Sequence, residues 1–414
     1  GAAMIATAEL EIASIAAGGD GVGRAEGQVV FVPRSAPGDL ARVSLAARGR
    51  FARGEITELL RPAPSRVEPP CPHYTNDRCG GCQLQHLAYD AQLDAKERII
   101  VDTLARIGKR DVAVREVRPS EHPWRYRRKL TLALRWARGQ GWIAGLHPYD
   151  DPAAVFSMKD CPITDERVVS IWRSIMRHAK LFPRVPALRG AVRLLDRGAS
   201  FVLEGGRQWR EAEALMAAVP ELRAVWWAPE GARARLVARR DDEATAGASF
   251  VQVNVAVGEA LHDHVVSRAL AYEPAVVVDA YAGTGDTAVR FAAAGARVTA
   301  IELDREAASF AAGRLAAPSA VVAGRVEDHL AGVLPADVVV INPPRSGVDA
   351  RVTEALEAAR PRPRGLIYVS CDPATLARDL ARLPSYRVRD ALAFDMFPQT
   401  AHVETVCELV PEVA

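Results

Sequence analysis

Along residues 5–60, short apolar runs alternate with glycine-rich turns: 29–32 and 41–45 are runs, and Gly18-Gly19-Asp20-Gly21-Val22-Gly23 is a turn. Such short-period alternation predicts a small all-β barrel of about five strands. Residues 62–70 are proline-rich and predict a linker. The period then lengthens. Leu84, Leu87, Leu93, Ile99, Ile100, Leu104 and Ile107 recur at helical spacing, predicting a helix over 84–107. Residues 111–240 mix both patterns, with strand-like runs at 129–136, 191–195, 200–203 and 224–227. From residue 250 onward, strands at 276–279, 297–302, 319–323, 337–341 and 365–370 alternate with alanine-rich helical stretches. That rhythm predicts a doubly wound parallel α/β sheet. A last strand over 402–410 is expected as an antiparallel edge. The expected organisation is α/β overall. An OB-like β-barrel spans 1–65, a central α+β domain 66–245, and a Rossmann-like domain 246–414. Gly1-Ala2-Ala3, ahead of Met4, reads as an expression scar.

Composition narrows the class. The chain has 414 residues, 49% hydrophobic and 25% charged, as expected of a globular protein with two or three domains. No apolar run reaches membrane-spanning length and no secretion signal is visible, so a cytoplasmic monomer is expected. A net charge of +2 is unremarkable, so the total carries no argument about a nucleic-acid partner. Its distribution says more. Arg125, Arg127, Arg128 and Lys129 interleave with Trp124 and Tyr126, which suits phosphate contacts plus base stacking, or a strand with a solvated cationic face. Arg24, Arg34, Arg48, Arg50 and Arg53 make the barrel cationic.

The strand Val276-Val277-Val278-Asp279-Ala280 runs into Tyr281-Ala282-Gly283-Thr284-Gly285. In a doubly wound sheet, ligands sit beyond the carboxyl ends of the strands, where Gly283 and Gly285 let the backbone approach closely. The third glycine of a dinucleotide fingerprint is missing, and so is a phosphate loop. Glu302 closes the next strand, where a carboxylate can accept both hydroxyls of a ribose. Together these residues resemble class I S-adenosylmethionine-dependent methyltransferases.

Three further segments fall at strand ends of the same sheet: Asn342-Pro343-Pro344-Arg345-Ser346-Gly347, Ser370-Cys371-Asp372-Pro373 and His402-Val403-Glu404. They fit methylation at carbon 5 of a pyrimidine. That carbon becomes nucleophilic once a thiolate has added to C6, and a base must then remove the C5 proton. Cys371 fits the nucleophile and Glu404 the base. Arg345 nearby is expected to lower the thiol pKa. Cys407, inside an apolar strand, is expected in the core.

The other four cysteines, Cys71, Cys79, Cys82 and Cys161, offer four soft ligands. Spacing alone suits zinc and an iron–sulfur cluster equally.

Taken together, these motifs resemble the bacterial and archaeal RNA 5-methyluridine methyltransferases that carry an N-terminal TRAM domain. The likeness runs over essentially the whole chain and includes Phe250-Val251-Gln252-Val253-Asn254. It implies S-adenosylmethionine as methyl donor, Cys371 as nucleophile and Glu404 as base. The cofactor would be lined by Gln252, Tyr281, Gly283, Asp286, Glu302 and Asn342. Cys71, Cys79, Cys82 and Cys161 would hold a [4Fe–4S] cluster, with zinc as the alternative. The implied substrate is RNA, 23S ribosomal RNA first and the transfer-RNA T-loop second. Two positions depart from the family pattern. Asn342 stands where an aspartate is usual, keeping an acceptor oxygen but losing the charge. That leaves room for a shifted substrate, or for an RNA-binding homologue with altered activity. The gap between Cys71 and Cys79 is also longer than usual.

Overall fold

A computed structural model describes residues 6–240 and 252–412. Gly1-Ala2-Ala3, Phe250-Val251 and the expected boundary at 245/246 lie outside the described residues. Strands β1 (Ala6–Glu11), β2 (Ser14–Ile15), β3 (Gly21–Ala25), β4 (Gln28–Val32), β5 (Leu40–Arg48) and β6 (Phe51–Arg61) form a sheet ordered β1-β5-β6-β4-β3-β2. Only Ile12 and Ala13 separate β1 from β2, so one bent segment supplies both edges and the sheet closes on itself. Leu10, Ile12, Val30, Val32, Ala41 and Val43 fill its interior. The sheet has one strand more than expected, because two-residue β2 is too short to leave an alternation in the sequence.

Helices α1 (Pro72–Asn76) and α2 (Tyr89–Arg106) follow. The expected helix over 84–107 begins five residues late, at Tyr89. Leu84 and Leu87 are buried but not helical, because the backbone N–H groups of Gln83 and Leu84 donate to Gln399 O at 3.1 and 3.0 Å. Strand β7 (Val117–Arg118) leads to a second sheet. That sheet contains β8 (Lys129–Ala137), β9 (Gly141–Leu146), β10 (Phe156–Ser157), β11 (Ala187–Leu194), β12 (Ala199–Glu204), β13 (Leu222–Ala228) and β14 (Arg235–Arg239). Its order is β10-β9-β8-β11-β12-β13-β14. Helices α3 (Glu166–Arg177) and α4 (Ala212–Ala218) supply buried residues such as Trp172 and Leu215 to its core.

The third sheet is doubly wound. It uses α5 (Val255–Leu270), β15 (Val276–Ala280), α6 (Asp286–Ala293), β16 (Arg297–Glu302), α7 (Arg305–Arg314), β17 (Ala320–Ala323), α8 (Val326–Val333), β18 (Val338–Ile341), α9 (Ala350–Ala358), β19 (Gly365–Ser370), α10 (Pro373–Ala381), β20 (Tyr386–Phe394) and β21 (Glu404–Pro411). The order is β17-β16-β15-β18-β19-β21-β20-β7. Strands β15 to β19 pair in parallel, and the direction of winding reverses between β15 and β18, which opens a crevice at their carboxyl ends. The last strand is antiparallel as expected, yet it is not an edge. It lies between β19 and β20, and β7 forms the outer strand. Strand β20 escaped the hydrophobic pattern because its first half is Tyr-Arg-Val-Arg-Asp and its register shifts between Val388 and Asp390. Ile100, Leu104, Val112, Val114 and Val117 share one core with this sheet, so the chain around α2 and β7 packs into the third unit.

Most of the basic run 124–129 is turned to internal contacts, while Lys129 stays exposed. Arg125 is held by Asp160 at 2.8 and 2.9 Å, Tyr126 is buried with its hydroxyl on Pro398 O, and Arg127 faces the cysteine cavity. On the barrel, Arg34 donates to Tyr74 O and Cys79 O at 2.7 Å and stacks on Tyr74, while Arg48 and Arg50 stay exposed. Among the described residues, no helix is long and apolar enough to cross a membrane.

Candidate active site

The turn after β15 is shaped by backbone conformation. Gly283 and Gly285 have φ of 57° and 86°, and Tyr281 holds the left-handed region at 60° without being glycine. A Cβ at Gly285 would lie 2.9 Å from Ala311 Cβ, whereas one at Gly283 would meet open space. Gly283 N–H donates to Glu302 Oε2 at 2.7 Å, and Asp304 N–H donates to Oε1 at 2.8 Å. The carboxylate is thus fixed at the end of β16 and retains lone pairs for further donors. Asp279 is buried beneath the turn and accepts from Thr287 Oγ1 at 2.6 Å; burial, with Glu302 and Asp286 nearby, pushes its pKa up to about 7. Asp286 opens α6 and pairs with Arg314 at 2.6 Å. Gln252 packs on Gly258 of α5, where a Cβ would lie 2.9 Å from it.

The segment after β18 lies along α10. Asn342 is exposed at its start, and its N–H donates to Ala280 O at 3.3 Å. Thr375 Oγ1 donates to Arg345 O at 3.2 Å, Arg378 to Ser346 O at 2.8 Å, and Val348 N–H to Asp379 Oδ2 at 2.9 Å. Asp379 is fully buried and also accepts from the Tyr368 hydroxyl at 2.5 Å, so one carboxylate joins β19, α10 and this loop. The sequence signal for it was a charged residue on the apolar face of α10, which the motif reading passed over.

Cys371 sits between β19 and α10. Asp372 caps the helix by accepting from Ala374 N–H at 2.9 Å and Thr375 N–H at 3.1 Å. Ser370 pairs with Thr405 in the antiparallel ladder, which sets Cys371 beside Glu404. Arg345 reaches the same place and donates to His402 Nδ1 at 3.1 Å. Burial and the neighbouring Glu404 raise the thiol pKa, and Arg345 only opposes this. The expected lowering is therefore reversed: desolvation outweighs one cation. Burial pushes Glu404 up to about 7, again against Arg345. Burial and the Arg345 charge push His402 down to about 4, so Glu404 is the group of the two that titrates near neutrality. Cys407 is fully buried in the core, as expected.

Cys71, Cys79, Cys82 and Cys161 line one cavity of about 170 Å³, with Gln85 and Arg127 on its wall. All four are free thiols. The longer gap after Cys71 is taken up by α1, whose N-terminus Cys71 precedes. Gly81 N–H donates to Cys79 Sγ at 3.4 Å. Gln85 Oε1 and Arg127 Nε have no hydrogen-bond partner among the described residues. No three His, Cys, Asp or Glu side chains among the described residues are placed to hold a single metal ion.

Comparison with known proteins places this geometry. The family model described as tRNA (Uracil-5-)-methyltransferase matches residues 325–410, the stretch holding Asn342, Cys371 and Glu404. An uncharacterised RNA methyltransferase of Protochlamydia amoebophila is 31% identical, with 97% of each chain covered. Another, of Listeria innocua, is 31% identical over 96% of each. The crystal structure of Pyrococcus abyssi tRNA (uracil-54, C5)-methyltransferase, in complex with S-adenosyl-L-homocysteine, superposes with a TM-score of 0.72. It covers 97% of this chain and 99% of its own at 24% identity, so it shares the fold. With relatives matched over nearly their whole length and the family model lying across the segments that hold Asn342, Cys371 and Glu404, the chain belongs to the RNA (uracil-5-)-methyltransferase family.

Proposed function

We propose that this enzyme methylates carbon 5 of a uridine in RNA, with S-adenosylmethionine as methyl donor. The observation that carries the reading is the placing of Cys371 beside Glu404, with Arg345 near both, at the crevice of a methyltransferase sheet. The Cys371 thiolate forms a bond to C6 and moves the C5–C6 electron pair towards C5 and the O4 oxygen. S-adenosylmethionine, when bound, would supply the electrophilic methyl group that C5 takes up, its sulfur–methyl bond breaking to leave S-adenosylhomocysteine. Glu404 then removes the C5 proton, the C5–C6 double bond reforms, and the Cys371 thiolate leaves. Arg345 steadies negative charge on both protein groups. Gly283, with open space above it, and the fixed Glu302 carboxylate fit a ribose. Tyr281, Asp286, Asn342 and Gln252 would complete the cofactor wall.

The cysteine cavity fits a [4Fe–4S] cluster held by Cys71, Cys79, Cys82 and Cys161. Four free thiols around one cavity, an N–H on one sulfur and orphaned polar atoms on the wall support a bound thiolate-held group there, and the resemblance to the family selects the cluster over one zinc ion. Its role in this reading is to hold the chain around it. The closed β-sheet over 6–61 acts as the TRAM module that grips RNA, through groups such as exposed Arg48 and Arg50. The favoured RNA is large-subunit ribosomal RNA. A second reading, a T-loop uridine of transfer RNA, is favoured by the wording of the matching family model and of the Pyrococcus structure.

The test is methyl transfer to unmodified ribosomal and transfer-RNA transcripts, with products mapped by mass spectrometry. The native protein should form 5-methyluridine. Cys371→Ala should form none while still binding S-adenosylmethionine in calorimetry. Full activity in that variant would overturn the mechanism.

A further inference from the structure

The segment between β20 and β21, which delivers Glu404, is held almost entirely by residues from the first 130 positions. Gln399 is at its centre. It is 2% exposed and holds a φ of 71°, a conformation rare for a residue with a side chain. Every polar group it has is taken. Its N–H donates to Gln92 Oε1 at 2.9 Å, and its carbonyl accepts from Gln83 N–H and Leu84 N–H. Its Oε1 accepts from Gln92 Nε2 at 2.9 Å, and its Nε2 donates to Pro123 O at 3.3 Å. Gln83 adds a second grip: its Oε1 accepts from Ala401 N–H at 3.0 Å, and its Nε2 donates to Gly80 O at 2.9 Å. Gly19 of the barrel closes the third side, since a Cβ there would lie 2.6 Å from Gln83 Cβ and 3.2 Å from Ala401 Cβ. All three parts of the chain thus meet at residues 399–401. Gln83 follows Cys82 of the cavity wall directly, and Ala401 stands three residues before Glu404.

We propose that Gln83, Gln92 and Gln399 are positioning residues that fix Glu404 against Cys371 by clasping the 399–401 segment. The proposal rests on the reading of Cys371 as nucleophile and Glu404 as base. The clasp touches neither reacting group. It sets the backbone from which the base projects and leaves Cys371, between β19 and α10, and the glycine turn to their own supports. Loosening it therefore affects the step that uses Glu404, proton removal with release of Cys371, and spares the earlier step at C5. The same contacts connect the cysteine cavity to the base through two short stretches of chain.

The experiment compares Gln83→Met, which keeps the length and removes both hydrogen bonds, with Gln83→Glu, which keeps the acceptor for Ala401 N–H. Gln399→Gly serves as a second lesion, because glycine adopts the required φ without strain. Single-turnover reactions use labelled S-adenosylmethionine and whichever ribosomal or transfer-RNA transcript is methylated. Gln83→Met and Gln399→Gly should release methylated RNA about ten- to a hundredfold more slowly, with methyl uptake within about threefold of native and covalent RNA–protein adduct accumulating. Gln83→Glu should recover most of the release rate. Hydrogen exchange, which needs no RNA, should rise at 399–404 in Gln83→Met and stay native elsewhere in the third sheet. Native release rates, equal slowing of both steps, or unchanged exchange at 399–404 would each overturn the proposal. Glu404→Gln in the same assay separates the two ideas. If it accumulates adduct and the glutamine variants do not, the clasp fails alone; if it accumulates none, the reading of Glu404 fails first.

Discussion

Arg345 lies near a thiol and a carboxylate, both of which lose solvent in the site. Burial raises each pKa, and the guanidinium pulls each back. The sign of the pH dependence follows. Proton removal needs Glu404 as carboxylate, so release of methylated RNA should rise with pH through about 7 and then level. Arg345→Met removes the opposing cation, so both groups should titrate higher and the rising limb should move to more alkaline pH. Single-turnover release measured across the neutral range checks this; a flat profile, or an acid shift in the variant, would contradict it. That Cys371 and Glu404 meet in space was legible because each lies in a short string of unusual neighbours at a strand end of one sheet. Their electrostatics were not. The sequence placed Arg345 nearby and so argued for a depressed thiol pKa, but the depth of burial, which reverses the sign, comes from strands β19 and β21 lying side by side.

Elements differ in how far they can be read locally. Strands β15, β16 and β19 matched their hydrophobic runs within a residue, because a buried parallel strand is apolar on both faces. Helix α2 was misplaced at its start because Leu84 and Leu87 are buried against partners far along the chain. The Gln83–Ala401 bond joins residues 318 positions apart, and nothing in the local pattern reports it. The buried Lys96–Asp395 pair is hidden in the same way: in the sequence Lys96 is one more polar residue on an amphipathic helix, yet both partners are fully buried. The cysteine-bearing stretch around α1 is the element whose content is most easily measured. The protein isolated without oxygen should carry about four iron and four sulfide per chain, and Cys161→Ser should lose most of both. One zinc per chain, with no sulfide, would contradict the cluster assignment.

At the scale of the whole molecule, the closed sheet, the cysteine-bearing stretch and the doubly wound sheet converge on one segment. The closed sheet brings Gly19, the cysteine-bearing part brings Gln83, and the doubly wound sheet presents Glu404. The class of each unit was legible from its period, short for the closed sheet and alternating strand–helix for the last. Their mutual packing was not, since the chain around α2 and β7 crosses into the third core and Arg125 and Tyr126 of the basic run are spent on internal contacts. In the proposed reading, an RNA would reach the crevice at the carboxyl ends of β15 and β18 with its uridine turned out of the stack. Most directly, the central claim is tested by incubating Glu404→Gln with S-adenosylmethionine and transcript RNA, then running a denaturing gel. The account predicts a slowly migrating band that carries RNA and methyl label and disappears when Cys371→Ala is added to the variant. A variant that turns over normally and leaves no such band would contradict it.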